Sequence, residues 1–246
     1  MKYVFANWKM YLDFDESNIL ANALLQEKFN ESKVNLAVFP STLSVREVSM
    51  AMKDSNLSTG AQNVNCVPKG AYTGAVSAQM FANIGCGYAL VGHSERRYIF
   101  GETNDDVRKK LEACLDAGIV PVVCIGETEE DRKEGKRQYR LKKQLMKAFD
   151  GLDLGDKEMI VAYEPVWAIG TGNACDPDDA DDVHGWIKLE LKNYFDNDIP
   201  VLYGGSVKAE NVVSYVSRDT VDGVLVGGAA AKLETFLPLI RAVEKN

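Results

Sequence analysis

Short apolar runs recur along the whole chain, and polar stretches of helical periodicity lie between them. The runs are YVFANW from Tyr3, VNLAVF from Val34, LSTGAQNV from Leu57, GYALVGH from Gly87, IVPVVCIG from Ile119, MIVAYEP from Met159, IPVLYGG from Ile199 and GVLVGG from Gly223. Most are rich in Val and Ile and do not alternate polar with apolar. Strands covered on both faces read this way, whereas a half-exposed strand alternates. Between them, TNDDVRKKLEACLDAG sets Val107, Leu111, Cys114 and Leu115 on one helical stripe. Thr103 and Asp106 have capping-box spacing, with Asp in place of the usual Glu or Gln, and Gly118 fits the stop. In DPDDADDVHGWIKLELKNYF, Asp176 suits an N-cap and Pro177 the first helical position. The aspartates that follow favour the positive end of the helix dipole, and read as a solvated helix start rather than a metal site.

Eight strand-like runs alternating with helices predict an α/β fold, a (β/α)8 barrel of eight parallel strands with outer helices. An open doubly wound sheet would usually carry a Gly-rich turn after the first strand, and ANWKMYLDF has none. A length of 246 residues suits one such barrel. No linker or composition break divides the chain, so residues 1–246 are expected to form a single barrel domain.

Composition narrows the partners. The chain is 46% hydrophobic and 26% charged, enough to bury a large core, and its net charge of -8 opposes binding to nucleic acid or an anionic membrane. A local basic pocket for a small anion is compatible with that charge. No apolar run approaches the ~18–20 residues of a membrane span, and MKYVFANWKM lacks the pattern of a signal peptide. The five cysteines, Cys66, Cys86, Cys114, Cys124 and Cys175, are scattered and never spaced C-x-x-C. That argues against a disulfide framework or a zinc site and for the reduced thiols of a cytoplasmic protein.

In an eight-stranded α/β barrel, chemistry gathers at the C-terminal ends of the strands. The first run ends with Asn7 and Lys9, the fourth with His93, the sixth with Glu164, the seventh with Gly204, Gly205 and Ser206, and the eighth with Gly227 and Gly228. Each has a bland reading: a structural histidine, a strand exit at Glu-Pro, a turn at Gly-Gly, a solvated lysine. Together they place a base, an imidazole, a cation and two Gly-rich ends on one rim.

The motifs NWKM, GHSERR, CIGE, AYEPVWAIGTG, YGGSV and VGGA follow one another in the order and spacing of the triosephosphate isomerases, and the chain resembles that family from the first run to the last. The resemblance implies a TIM barrel that interconverts dihydroxyacetone phosphate and D-glyceraldehyde 3-phosphate with no cofactor or metal. It implies that Glu164 is the base, that His93 polarises the carbonyl, and that Lys9 binds substrate with Asn7 beside it. Glu95 holds the place of the family's glutamate near that lysine. Gly170, Gly205, Ser206, Gly227 and Gly228 match positions whose N–H groups hold the phosphate, as small residues let backbone approach an anion. A short helix is expected just after His93, its N–H groups aimed at the ring, which would keep the imidazole neutral; triosephosphate isomerase is itself the standard illustration of this arrangement. His184 matches a family position without a chemical role. PVWAIGTG from Pro165 resembles the family's closing lid, with Trp167 fitting its N-terminal hinge and Tyr203 a latch for the closed form.

The sequence also departs from the family pattern. The C-terminal lid hinge is Asn173-Ala174-Cys175, and the usual Ser and Leu after the eighth strand are Ala230 and Ala231. The long third loop, NCVPKGAYTGA from Asn65, implies a homodimer that it joins around Thr73. Ala75 replaces a family glutamate that pairs with an arginine across the interface, here Arg96. Docking should persist with a weaker contact, and an arginine left there without its carboxylate is costly unless water or another acid such as Glu102 reaches it. Two other readings stay open on sequence alone: a Schiff-base aldolase-type barrel using Lys9, and a catalytically silent barrel acting as a scaffold.

Overall fold

A computed structural model describes residues 1–169 and 174–246. Eight parallel strands close into a barrel in chain order: β1 (Lys2–Asn7), β2 (Val34–Phe39), β3 (Leu57–Ala61), β4 (Tyr88–Val91), β5 (Val120–Ile125), β6 (Ile160–Tyr163), β7 (Val201–Tyr203) and β8 (Gly223–Val226). Closure is made by β1 against β8, with Tyr3 opposite Gly223 and Ala6 opposite Val226. Apart from Lys2, which opens β1 one residue before the first run, every strand falls inside one of the eight apolar runs. From β3 onward the strands are shorter than the runs, as several runs continue into the loops that carry polar groups.

Helices cover the barrel's outer face: α1 (Phe14–Leu25), α2 (Val45–Met52), α3 (Ala78–Asn83), α4 (Ser94–Tyr98), α5 (Asn104–Asp116), α6 (Glu129–Lys133), α7 (Arg137–Phe149), α8 (Pro177–Leu191), α9 (Val212–Val216) and α10 (Leu233–Lys245). Helix α5 starts as the sequence predicts: Thr103 is the N-cap, and it and Asp106 form a reciprocal capping box. The chain leaves α5 through Gly118 at φ 72°, in the left-handed region that glycine adopts without a Cβ clash. Asp176 caps α8 and Pro177 opens it. The acidic start of α8 is more than a solvated face, since Asp179 takes Arg137 through two hydrogen bonds of 2.6 and 2.9 Å and Asp178 pairs with Arg218 at 2.5 Å.

Two buried layers result. Phe5, Ala37, Phe39, Leu90, Val122, Cys124, Ile160, Ala162, Leu202 and Leu225 fill the barrel interior, with the Phe5 ring 5.6 Å from Phe39 and 4.8 Å from Tyr88. The larger layer lies between strands and helices and includes Trp8, Leu111, Leu145, Ile187 and Leu239. Because neighbouring Cβ atoms point to opposite faces of a strand, each run needs apolar residues in both registers, which is why the runs do not alternate. A barrel filled this way is solid, so polar side chains gather at its mouth.

Candidate active site

Each candidate side chain sits at or just beyond the C-terminal end of a strand. Asn7 ends β1, His93 follows β4 after Gly92, Glu164 follows β6 directly, and Gly227 and Gly228 follow β8. They line one cavity of about 240 Å³ with Lys9, Gly204, Gly205 and Ser206. Gly170 and Asn173 lie outside the described residues.

Lys9 reaches the cavity from a strained backbone. Its φ is +49°, the one positive value among the described non-glycine residues, in a region costly for a side-chain-bearing residue. Two contacts hold it there. The Lys9 N–H donates to Asn7 Oδ1 at 3.0 Å, and the Lys9 carbonyl accepts from Gln62 Nε2 at 2.7 Å. Asn7 therefore fixes the lysine's backbone as well as lining the pocket. Lys9 Nζ lies 2.7 Å from Glu95 Oε1.

His93 and Glu164 are both buried and in direct contact. Nε2 of His93 lies 2.9 Å from Glu164 Oε1, and the Ser94 N–H donates to Glu164 Oε2 at 2.8 Å. The Glu95 N–H donates to His93 Nδ1 at 3.2 Å. Helix α4 thus begins where expected, and its first N–H groups serve both residues. A ring that accepts at Nδ1 carries its proton on Nε2 and offers it to Glu164. Burial disfavours charge on the ring, but the Glu164 carboxylate outweighs it, and His93 is raised above the ordinary imidazole value. Burial would likewise push Glu164 up; His93, the Ser94 N–H and Lys9 prevail, and its carboxyl is lowered. The neutral ring expected from the helix start therefore meets an opposing pull from Glu164 in the free site.

The Gly-rich ends permit close packing. A Cβ on Gly205 would stand 2.1 Å from Tyr203 Oη. One on Gly126, in the CIGE motif, would stand 1.8 Å from the Glu164 carbonyl oxygen, so Gly126 lets the base's backbone seat against β5. The Ser206 hydroxyl donates to the Ala168 carbonyl at 2.7 Å. Ala230 is buried in the core and does not line the cavity, whereas Gly227, Gly228 and Ala229 do.

Both flanks of residues 170–173 are anchored. Trp167 Nε1 donates to Glu127 Oε1 at 2.9 Å, and Tyr163 Oη donates to the same oxygen at 3.0 Å. Arg132 stacks over the Trp167 ring at 4.0 Å. On the other flank the Cys175 N–H donates to Tyr203 Oη at 3.2 Å, and the Cys175 carbonyl accepts from Tyr215 Oη at 2.5 Å. Burial pushes the Cys175 thiol up to about 12, so it is held as the thiol, 3.6 Å from Asp179 Oδ2.

Sequence reasoning missed Gln62, Gly126, Glu127, Tyr11, Ile169 and Lys208. Gly126 and Glu127 stand in CIGE, and Lys208 lies two residues past Ser206, so the motifs themselves were the available signal. Gln62 had none, because its part depends on where the loop after β3 meets Lys9.

A family model described as triosephosphate isomerase matches residues 2–243. A triosephosphate isomerase of Francisella philomiragia is 40% identical over 248 residues, covering 99% of this chain and 98% of that protein. One of Dictyoglomus thermophilum is 35% identical over 246 residues, covering 98% and 99%. With a family match over nearly the whole length and relatives at this identity and coverage, the chain belongs to the triosephosphate isomerase family.

Proposed function

We propose that this chain interconverts dihydroxyacetone phosphate and D-glyceraldehyde 3-phosphate, with Glu164 as the base. The observation that carries the residue assignment is the contact of Glu164 with both His93 Nε2 and the Ser94 N–H at the floor of the cavity that Lys9 enters. Glu164 is held ionised by these partners, which a base requires. Its carboxylate takes a proton from C1 of dihydroxyacetone phosphate, and the C–H electron pair passes into an enediolate. Charge grows on the C2 oxygen, where His93 Nε2–H donates and the Lys9 ammonium offsets it. The imidazole moves the hydroxyl proton from O1 to O2. Glu164 then returns its proton to C2, which leaves an aldehyde at C1.

Two steps follow from the resting contacts. Glu164 must release Ser94 and His93 to reach carbon, and the substrate oxygens must take over the Nε2 proton. Withdrawal of Glu164 removes the pull that raises His93, and the Glu95 N–H on Nδ1 then favours the neutral ring. The phosphate fits between the ends of β7 and β8, at Gly205, Ser206, Gly227 and Gly228; Gly170, outside the described residues, is assigned to it on the family resemblance alone. The backbone N–H groups there suit an oxyanion, and the exposed Lys208 adds a cation. Excluding water over this site protects the enediolate phosphate from elimination.

We infer a cytoplasmic homodimer of single-barrel subunits. The base of the third loop is pinned by Asn65 N–H to the Val76 carbonyl at 2.8 Å and by Ser77 Oγ to the Pro68 carbonyl at 2.9 Å, while its tip around Thr73 is exposed. Met10, Leu43, Tyr72, Ile99 and Phe100 are exposed on the loops after β1 to β4, an apolar set of the kind that marks a protein interface. A coupled assay of isomerisation in both directions tests the function. Turnover is expected without added metal. Borohydride trapping of a Lys9 adduct with dihydroxyacetone phosphate, without isomerisation, would reverse the assignment in favour of the aldolase reading. Sedimentation across a dilution series tests the dimer, and a monomer throughout would remove it.

A further inference from the structure

The loop after β6 is tied to two parts of the cavity. On its first flank Glu164 leads through Pro165 and Val166 to Trp167. Cys175 ends the second, and its N–H donates to Tyr203 Oη, which lies against Gly205 at the end of β7 assigned to the phosphate. Each flank also meets a carboxylate. Trp167 Nε1 donates to Glu127 Oε1, and the Cys175 thiol lies 3.6 Å from Asp179 Oδ2. Glu127 stands just past β5 and Asp179 in the first turn of α8, and one guanidinium joins them. Arg137, the first residue of α7, donates from Nη1 to Asp179 Oδ1 at 2.6 Å and from Nη2 to Asp179 Oδ2 at 2.9 Å. Its Nε lies 3.3 Å from Glu127 Oε1. All three nitrogens of the fork thus face the two carboxylates. Glu127 is fully buried, Arg137 is the one cation within 4 Å of it among the described residues, and its second oxygen has no hydrogen-bond partner among them. Loss of Arg137 would leave that buried charge uncompensated. A cross-link between α7 and α8 alone would need only the Asp179 half of this arrangement.

We propose that Arg137 is a positioning residue for the isomerisation. By bridging Glu127 and Asp179 it sets the Trp167 flank, and with it the base, against the Cys175 flank and the phosphate end of β7. This rests on the proposed role of Glu164 as base. The planar fork of an arginine holds one carboxylate with two parallel bonds and still presents Nε to another, whereas a lysine ammonium is a point donor that cannot do both. A second route between the flanks passes through Arg132, which stacks over the Trp167 ring at 4.0 Å and has a nitrogen 3.9 Å from Asp179 Oδ2. That separation is too long for a hydrogen bond, so the bridge runs through Arg137.

Two readouts on the full-length protein test the bridge. The first is the Trp167 indole N–H resonance, assigned by its loss in Trp167→Phe. Asp179→Asn, made on the far side of the bridge, is expected to shift it. The same substitution in an Arg137→Met background should leave it unmoved. A shift that persists without Arg137 would give the coupling to Arg132, and no shift in either background would remove it; either result overturns the proposal. The second readout is kinetic. Arg137→Met is expected to lower turnover about 10-fold, short of the roughly 10²-fold cost of an ångström-scale misplacement. It should also raise the deuterium isotope effect on kcat with dihydroxyacetone phosphate deuterated at C1, because a misplaced base slows proton removal. A smaller folded fraction lowers turnover without changing the isotope effect, so the two causes separate. Arg137→Lys should fall between the wild type and Arg137→Met, and it carries both readouts if Arg137→Met does not fold. Wild-type turnover and isotope effect in the Arg137 variants would overturn the positioning role. A wild type that did not isomerise would instead remove the proposed function, and the indole resonance would still decide whether Arg137 joins the flanks.

Discussion

The chain has two histidines, and the structure buries both in regions that treat them differently. His93 sits at the barrel mouth with Glu164 at 2.9 Å, and His184 sits on α8 behind β6 and β7, its ring 5.7 Å from Tyr163 and 6.2 Å from Tyr203. Burial disfavours a charged imidazole in both. At His184 it dominates, and the ring is pushed down to about 3. At His93 it is also the largest single influence, yet the combined pull of Glu164 overturns it. Depth alone therefore does not set the charge of a buried histidine here; the neighbouring carboxylate does. On the proposed mechanism the His93 ring stays adjustable because Glu164 moves during the reaction, whereas His184 is held neutral by neighbours that stay.

The largest expected effect comes from moving that partner. Glu164→Asp keeps the charge but draws the carboxylate back by about 1 Å, and misplacement on this scale costs on the order of 10²-fold or more in turnover. The Michaelis constant should change far less, since the phosphate contacts are untouched. Near-normal turnover would remove Glu164 from its role as base. His93→Gln is expected to fold, to bind a phosphate-bearing inhibitor, and to turn over about 10²-fold more slowly, the lower end for loss of a positioned proton donor. Nitrogen-15 NMR of wild-type His93 sharpens the comparison further. The ring should be more readily charged in the free enzyme than with inhibitor bound, because the ligand draws Glu164 away. A protonated ring at neutral pH in the inhibitor complex would contradict the neutral-electrophile mechanism.

His184 gives a stability effect with the opposite dependence on its surroundings. Its folded value lies near 3 and its ordinary value is 6.5. Between these the unfolded chain binds a proton that the folded chain does not, so stability falls as pH drops from 6.5 towards 3. The slope from this one group approaches roughly 1.4 kcal/mol per pH unit. Above pH 6.5 the group has no effect. His184→Gln, which does not titrate, should flatten the curve of denaturation midpoint against pH across that window, whatever its cost at pH 8. An unchanged slope would mean that other groups carry the acid sensitivity.

The barrel was legible in the sequence because doubly buried strands leave unbroken apolar runs, and α5 and α8 were legible because caps are local. The rim residues were found for the same reason: a strand end is a position in the sequence before it is a position in space. What escaped depends on contacts between distant segments. The positive φ of Lys9 is held by Gln62 from the loop after β3, and the resting grip on Glu164 comes from Ser94, 70 residues earlier. The pull of Glu164 on His93 belongs to the same class, which is why the helix start alone suggested a neutral ring. Glu127 escaped because its importance lies in gathering Tyr163, Trp167 and Arg137 around one buried carboxylate, with Arg137 Nε at 3.3 Å. Burial raises that carboxyl despite all three.

The smallest effect separates mouth from core most finely. Ala230 replaces a family serine at the end of β8, two residues past Gly228, and a hydroxyl there invites a phosphate-binding role. Ala230 is fully buried, however, and packs with the layer between strands and helices, while its N–H donates to the Gly227 carbonyl at 2.8 Å. A serine at 230 would point its oxygen the way the alanine methyl points, into that layer rather than into the cavity. The hydroxyl would have to find an acceptor such as a nearby turn carbonyl, and would otherwise cost about 1–3 kcal/mol of stability. Ala230→Ser is therefore expected to leave the Michaelis constant within about twofold, because uniform substrate binding is unchanged, and to lower the unfolding midpoint slightly if at all. Gly228→Val is the matched change on the cavity side. Its Cβ meets only the Tyr11 ring at 3.7 Å, so the fold tolerates it, but its methyl groups stand where a phosphate would lie and the Michaelis constant should rise strongly. A large affinity gain in Ala230→Ser would mean that the hydroxyl turns to the phosphate, and that the wall between mouth and core at the end of β8 is thinner than Ala230's burial implies.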